Sequence, residues 1–281
     1  MNKNEAGDIK MLTSEDKKLI KNENNLEELF IKLRDNNPYF TKEEIEKGLK
    51  GKFEDYSELD KLGRCGEAFA CIVKKESEIF ENPKNKNPKH NSRIKPTAWK
   101  SIGCDFIKDG ECLYNRCHLI GRQLATKKAN RKGLITGTRW FNVEGMFKFE
   151  NEAAKCIKDN PNHHILYRVT PYFKGDDLLA YGVQMEMLDI DDEEKLSYNV
   201  FVYNRQRGFT IDYKNGDVYS DNPLSLPSKR SGAKIYIIDR DTNKFHKESC
   251  ASICDIKNKK YFAGKEQTIK EEYCKCGICI H

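Results

Sequence analysis

Two stretches of this sequence decide the fold it indicates: YNRCHLIGRQL at Tyr114–Leu124 and TRWFNVEGMFKFE at Thr138–Glu150. In the first stretch His118 is flanked by arginines, and no acidic residue occurs between Cys112 and Val143. A neutral imidazole among cationic groups can accept a proton beside a bound phosphate. A single histidine has an equally simple structural explanation, so the surrounding pattern must decide between the two.

Both stretches lie in the most basic part of the chain. Residues 61–148 contain 19 Lys and Arg against 8 Asp and Glu, whereas the whole chain has a net charge of +6. A local positive field attracts polyanions, and nucleic acid is the first candidate. A solvated, lysine-rich surface is the alternative explanation of the same charge.

The ends of the chain and its cysteines suggest the surroundings in which it works. The first residues, MNKNEAGDIKMLTSEDKK, lack the apolar core of a signal peptide, and no apolar run is long enough to cross a membrane. The 11 cysteines are odd in number, and five fall between Cys250 and Cys279, which favours metal binding over disulfides. We therefore expect a cytoplasmic protein without membrane association.

The N-terminal residues are predicted to be helical. Residues 1–60 hold 11 basic and 15 acidic groups, so this segment is also the candidate for docking a protein partner. A capping box formed by Thr41 and Glu44 predicts a helix start. Apolar residues at helical spacing predict a further helix: Leu26, Leu29, Phe30 and Leu33.

The middle of the chain alternates between helical and strand patterns. Phe141–Lys158 places Phe149, Ala153 and Ile157 on one side of a predicted helix. Runs rich in β-branched and aromatic residues, separated by turns, predict antiparallel strands within 163–173, 178–188 and 198–213. The fold class is therefore α+β.

The predicted division of the chain has four parts. Residues 1–54 form a helical N-terminal extension, and 55–222 form the main domain. Residues 223–233, which contain proline and serine, form a linker to a small metal-binding module at 234–281. The polar stretch at 81–93 is predicted to be an exposed basic loop.

Phosphodiester hydrolysis needs a base, stabilisation of negative charge and help for the leaving oxygen. His118 is the candidate base, Asn142 a candidate oxygen ligand for a divalent ion, and Glu150 a carboxylate able to hold metal-bound water. Asn142 and Glu150 are eight residues apart, so they can face one side of a helix. Asn142 could instead be a simple helix cap. Three arginines are candidates for phosphate contact: Arg116, Arg122 and Arg139.

The motifs YNRCHLIGRQL, ANRKGLITGTRWFNVEGMFKFENEAAKCI, NHHILYRVTPYF and YGVQMEM resemble the DNA/RNA non-specific endonuclease family. The resemblance implies a ββα-metal core and a nuclease that uses Mg²⁺ or Mn²⁺, cuts DNA and RNA, and leaves 5′-phosphates. It also implies the base role of His118, the metal-ligand role of Asn142 and, for Glu150, the role of an acid that holds the metal's waters. Arg116 and Arg139 are assigned to catalysis as residues that contact phosphate. Further basic residues are assigned to nucleic-acid binding: Arg122, Lys127, Lys128 and Arg131.

Three positions depart from the family pattern. Asn115 stands where the family motif Asp-Arg-Gly-His has aspartate, and Cys117 stands where it has glycine. Neither group performs the chemistry, so we expect both changes to be tolerated. Gly133 stands where many relatives have an asparagine that supports the site. That change motivates the alternative function, a nucleic-acid-binding protein with impaired catalysis.

The C-terminal cysteines predict a structural zinc site. His246 with Cys250, and Cys276 with Cys279, form two closely spaced pairs of the kind that hold tetrahedral Zn²⁺. The surrounding sequence resembles the metal-binding domain of the methylphosphotriester DNA-repair protein. Reduced, unliganded cysteines are the alternative. Three residues remain as other possible ligands: Cys254, Cys274 and His281.

Overall fold

The computed structural model describes residues 12–21, 28–74, 94–102, 112–124, 130–221 and 234–280. The α-helices are α1 (Ser14–Ile20), α2 (Lys42–Leu49), α3 (Phe147–Asp159) and α4 (Glu266–Glu272). The first eight strands are β1 (Phe30–Lys32), β2 (Phe53–Tyr56), β3 (Ala68–Ile72), β4 (Tyr114–His118), β5 (Leu134–Thr138), β6 (Ile165–Tyr172), β7 (Gly182–Asp189) and β8 (Ser197–Tyr203). The remaining strands are β9 (Thr210–Asp212), β10 (Asp217–Ser220), β11 (Lys234–Asp239), β12 (Lys244–Lys247), β13 (Lys259–Gly264) and β14 (Cys274–Lys275).

A six-stranded antiparallel sheet forms the centre of the molecule, in the order β1-β8-β7-β6-β3-β2. The apolar side of α3 packs on it, and Phe149, Ala153 and Ile157 are buried together with side chains from β3, β6 and β7. The predicted helix and the predicted strands are therefore confirmed. Burial of this shared apolar surface is the main source of their stability.

The prediction of helix around Phe30 is wrong. Residues Phe30–Lys32 form β1, which pairs antiparallel with β8 so that Ile31 lies opposite Phe201. Ile31 and Leu33 are buried on one side of the sheet, while Phe30 packs against the core on the other side. This alternation has the period of a strand, but three residues are too few to distinguish it from a helical turn.

The predicted capping box at Thr41 is confirmed, and it begins α2. Glu44 accepts the backbone N–H of Thr41 and also accepts a hydrogen bond from Nη1 of the fully buried Arg168 at 3.0 Å. Arg168 lies on β6, and its Nε donates to Glu186 on β7 at 2.9 Å. The charge network therefore anchors α2 to the large sheet.

The C-terminal strands do not form a sheet of their own. They belong to a second six-stranded sheet, in the order β14-β12-β11-β13-β10-β9. Val218 and Tyr219 of β10 pair with Ala263 and Phe262 of β13, so hydrogen bonds connect the predicted main domain with the predicted zinc module. The predicted linker at 223–233 lies outside the described residues.

The remaining strands, β4 and β5, form an antiparallel hairpin that runs directly into the helix of Phe141–Asp159. Its first part, Phe141–Met146, is a π-helix in which the N–H of Phe147 bonds the carbonyl of Asn142. Short π-helical segments often occur at functional sites. The two strands followed by a helix confirm the predicted ββα fold class.

Several predicted features fall on residues outside the described ranges. These are the basic loop at 81–93 and four single residues: Leu26, Lys127, Lys128 and His281. Within the part of the chain that is described, no helix is long and apolar enough to cross a membrane.

Candidate active site and metal centre

The hairpin and the helix that follows it carry the predicted site residues. His118 ends β4, and its pairing partner is Leu134 at the start of β5. Asn142 lies in the first turn of the π-helix and is half-buried. Its side-chain Nδ2 donates to Oδ1 of Asn115 on β4 at 3.4 Å, so this contact uses the amide nitrogen and not the amide oxygen.

Asn115 therefore has a positioning role that the family's aspartate could also fill. Its Oδ1 accepts from Asn142, and its Nδ2 donates to the carbonyl of Cys112 at 3.3 Å. The acceptor oxygen is common to both residue types, and this explains how asparagine can occupy the position.

The start of the helix is fixed by Asn204, which is fully buried. Its Oδ1 accepts the backbone N–H of Thr138 at 2.9 Å, and its Nδ2 donates to the carbonyls of Thr136 and Ala180. The hydroxyl of Thr138 in turn accepts the N–H of Phe141 at 3.1 Å. The direction in which the helix leaves β5 is therefore set by hydrogen bonds to the large sheet.

The surroundings of His118 favour its neutral form. Burial, together with the positive charge of Arg122, lowers the pKa of His118 to about 4. The side chain is half-buried, so it is not sealed from the surface. At pH 7 the imidazole is uncharged and can accept a proton.

Glu150 lies under β4 in an apolar environment. Burial raises the pKa of Glu150 to about 8. Its carboxylate packs against Gly121, where any side-chain Cβ would overlap it. It is close enough to Cys117 and Tyr167 to raise the pKa of both. Burial disfavours the negative charge of this carboxylate. A nearby cation would favour that charge, so the position is suited to a metal ion.

The predicted arginines occupy different surroundings. The guanidinium of Arg116 lies 4.0 Å from the centre of the Trp99 ring, and its Nε donates to the carbonyl of Ile94 at 2.6 Å. Arg122 is exposed beside His118, and Arg139 begins the helical turn before Asn142. Arg131 is exposed on the short 3₁₀ helix that precedes β5.

The space around Gly133 is filled by Tyr56. A Cβ at position 133 would lie 2.6 Å from Cε1 of the Tyr56 ring. The Tyr56 hydroxyl donates to Glu54 at 2.6 Å, which holds the ring in place. An asparagine at position 133 would therefore collide with Tyr56, and the glycine fits this alternative packing. Asn130 caps the adjacent 3₁₀ helix by accepting the N–H groups of Lys132 and Gly133.

Cys117 is a core residue. It is fully buried beside Phe141, and burial raises the pKa of its thiol well above the ordinary value. A neutral, inaccessible thiol cannot act as a nucleophile. The expectation that Cys117 replaces glycine without entering the chemistry agrees with this position.

All four predicted zinc ligands meet in the C-terminal sheet. The ligand atoms of His246, Cys250, Cys276 and Cys279 lie within 4.8 Å of one another. Nδ1 of His246 is 3.5 Å from Sγ of Cys250, and that sulfur is 3.9 Å from Sγ of Cys276. Tetrahedral Zn²⁺ with ordinary bond lengths requires N–S and S–S separations of about 3.6 and 3.8 Å.

Backbone groups around this cluster point at its sulfurs. The N–H of Lys247 donates to Cys279 at 3.3 Å, and the N–H of Ile278 donates to Cys276 at 3.4 Å. Such bonds stabilise thiolates, which are the form that binds metal. Cys254 and Cys274 are exposed and outside the four-residue cluster, so the first choice of ligands is the one that fits.

Sequence patterns did not reveal several residues that position the site. Trp99 contacts Arg116, Tyr56 fills the space beside Gly133, and Asn204 fixes the helix start. Each is distant in sequence from the residue that it supports. A buried polar residue such as Asn204 within the apolar YNVFVYN run was the one local indication.

The buried charge of Glu150 predicts a pH-dependent change in stability. Its folded pKa, about 8, is above the unfolded value of 4.5, so ionisation destabilises the fold as pH rises between the two. In magnesium-free buffer, Glu150→Gln should raise the free energy of unfolding at pH 8 by about 2 kcal/mol or more, with little change at pH 4.5.

Urea denaturation at both pH values measures this effect. Glu152→Gln is the control, because Glu152 is exposed on the same helix. An equal response of the two variants at pH 8 would contradict the burial of the Glu150 charge.

Comparisons with known proteins agree with this geometry. A streptococcal deoxyribonuclease, from Streptococcus dysgalactiae subsp. equisimilis, is 32% identical over 117 residues, which are 40% of this chain and 35% of that protein. The chain thus spans about a third of the length of that curated relative.

Two crystal structures of NucA from Streptococcus agalactiae share the fold at 19% identity. The magnesium-bound form has a TM-score of 0.54, with 75% of this chain and 98% of NucA covered. The metal-free form has a TM-score of 0.53, with 74% and 98% covered. The sequence model described as "DNA/RNA non-specific endonuclease" matches residues 43–190, more than half of the chain. This protein therefore belongs to the DNA/RNA non-specific endonuclease family.

Proposed function

We propose that the protein is a magnesium-dependent endonuclease that hydrolyses phosphodiester bonds of DNA and RNA with little sequence preference and leaves 5′-phosphates. The observation that carries the proposal is the ββα unit, whose hairpin carries the neutral His118 and whose helix carries Asn142 and the buried Glu150. The family membership and the basic surroundings of the unit support the same activity.

His118 would act as the general base. Its lowered pKa keeps the ring neutral at pH 7, and its half-buried position allows it to accept a proton from an attacking water. Arg122 lies next to this ring and is exposed, so it can attract the phosphate while it keeps His118 unprotonated.

Asn142 would supply the protein's direct ligand to the metal through its amide oxygen. Asn115 holds the amide nitrogen and so presents that oxygen in one orientation. When bound, Mg²⁺ supplies charge stabilisation for the phosphate and the leaving oxygen. Glu150 would hold metal-bound water, which explains the buried carboxylate under β4.

The contacts of this site are with the nucleic-acid backbone. Arg116, Arg122, Arg139 and Arg131 present cationic groups on or near the ββα unit, and such groups bind phosphate rather than read base edges. Low sequence preference follows from this kind of recognition. Magnesium in the NucA crystal structure is consistent with the choice of cation, and manganese has compatible oxygen-ligand chemistry.

We also infer that His246, Cys250, Cys276 and Cys279 hold a structural Zn²⁺. The N–S and S–S separations fit a tetrahedral ion, and backbone N–H groups support two of the sulfurs. The cluster joins β12 to the chain that follows β14, so the metal would hold the edge of the second sheet together.

The nuclease proposal is tested by cleavage of supercoiled plasmid. We expect wild-type protein to nick the plasmid with Mg²⁺ and not with EDTA. His118→Ala should lower the rate at least about 100-fold, because the proton acceptor is removed. The control is His164→Ala, whose ring is hydrogen-bonded to Asp191 away from the ββα unit.

Two results would contradict the proposal. Equal cleavage by wild type and His118→Ala would remove the histidine from the mechanism. Salt-sensitive plasmid binding without cleavage by folded, zinc-loaded wild type would favour the impaired, nucleic-acid-binding alternative. The packing of Tyr56 against Gly133 would then be the structural feature to examine first.

The zinc proposal predicts a bound-metal ratio close to one per chain for protein purified in reducing buffer. Cys276→Ser should lose the zinc and lower the melting temperature, because a ligand in the centre of the cluster is removed. Cys254→Ser is the control, since this cysteine is exposed and outside the cluster. Elemental analysis and thermal denaturation measure both effects; equal zinc content in the two variants would contradict the assignment.

A further inference from the structure

A pocket of about 570 Å³ opens beside the first turn of the helix that contains Asn142. Its walls come from Trp140, Tyr181 and every residue of 205–213 except Asp212. The volume is in the range of pockets that hold small organic ligands. Most of the residues that line the pocket lie beyond residues 43–190, the part of the chain that matches the family.

The chemistry of the pocket is aromatic and cationic. Trp140, Phe209 and Tyr213 contribute rings, and Arg205 and Arg207 contribute positive charge. The described residues that line it include no carboxylate. Flat apolar rings beside arginines are the combination that binds unpaired nucleobases together with their phosphates.

Arg207 and Trp140 are the central pair. The guanidinium carbon of Arg207 lies 4.6 Å from the centre of the Trp140 ring, and Arg207 is exposed. The indole Nε1 donates to Glu144 at 3.1 Å, which fixes the ring within the helix. Because Trp140 is buried, the exposed guanidinium plane of Arg207 above it is the surface on which a base can stack, and its charge can meet a phosphate.

Hydrogen bonds fix the wall of the pocket to the start of the helix that contains Asn142. Oε1 of Gln206 accepts the backbone N–H of Trp140 at 3.1 Å, and the carbonyl of Arg205 accepts the hydroxyl of Thr138. Trp140 is two residues before Asn142 in the same helical turn. The side chains of Trp140 and Asn142 leave the helix on opposite sides, so a strand bound at both places would pass over the start of the helix.

We propose that this pocket binds one unpaired base of a strand held at the ββα unit and gives the enzyme a preference for single-stranded nucleic acid. The proposal rests on the nuclease function proposed above. A base in a duplex is already stacked and paired, so its face cannot enter the pocket, whereas an unpaired base can do so freely. Duplex substrates use the phosphate contacts alone.

The test compares cleavage of a 20-nucleotide single-stranded DNA with cleavage of a blunt hairpin duplex of the same length, with Mg²⁺. Wild type, Arg207→Ala, Arg207→Lys and Phe209→Leu are measured, and circular dichroism confirms folding. Lys158→Ala is the charge-matched control, because Lys158 is exposed at the far end of α3.

We expect the single-strand to duplex ratio of kcat/KM to fall about tenfold in Arg207→Ala, in line with the loss of one stacked base. Arg207→Lys should also lower the ratio, because lysine keeps the charge without the planar group. Ratios within twofold of wild type in Arg207→Ala and Phe209→Leu would overturn the proposal.

A binding measurement separates this proposal from the nuclease proposal. Fluorescence anisotropy of the labelled single strand is recorded with wild type and Arg207→Ala in EDTA, where no cleavage is needed. Weaker binding by Arg207→Ala than by Lys158→Ala supports the pocket even if the protein cuts nothing. Equal binding by these two variants rejects the pocket, whatever the cleavage assay shows.

Discussion

The side-chain amide of Asn204 is the interaction on which the candidate site depends most. It joins the end of β5 to the large sheet through hydrogen bonds to Thr138, Thr136 and Ala180. Thr138 then caps the first helical turn through Phe141. The helix leaves the hairpin at this point. The hydrogen bonds of the buried Asn204 amide therefore help to set the position of Asn142 relative to β4. The same segment continues into the wall of the aromatic pocket.

The second constraint is electrostatic. The ββα unit buries ionisable groups in an apolar environment, where the neutral forms are favoured. Burial thereby keeps His118 neutral, and it favours the protonated form of Glu150, whose ionisation a nearby cation would promote. One physical cause thus sets the protonation of both groups, and ionisation of the buried Glu150 destabilises the fold. Cys117 experiences the same environment and is made inert by it.

Much of the secondary structure could be predicted because local sequence patterns indicate it. The helix of Phe141–Asp159, the central strands and the cysteine pairs are contiguous motifs with a clear period or spacing. What could not be predicted depends on contacts between distant segments. The strand at Phe30–Lys32 exists because β8 offers an edge, and the fit of Tyr56 beside Gly133 depends on packing between β2 and the residues before β5. The pairing of β10 with β13 joins the predicted main domain to the predicted zinc module. No local sequence pattern indicates it either.

We propose that the ββα unit holds a divalent cation through Asn142, on the helix that also carries Glu150. Crystals of His118→Ala grown with Mn²⁺ test it most directly, because anomalous scattering locates the ion without relying on turnover. We expect a single strong peak next to the side-chain oxygen of Asn142, with Glu150 facing the ion's waters, and no such peak in crystals of the double variant His118→Ala with Asn142→Ala. A manganese ion bound elsewhere, or an unchanged peak after Asn142→Ala, would contradict it.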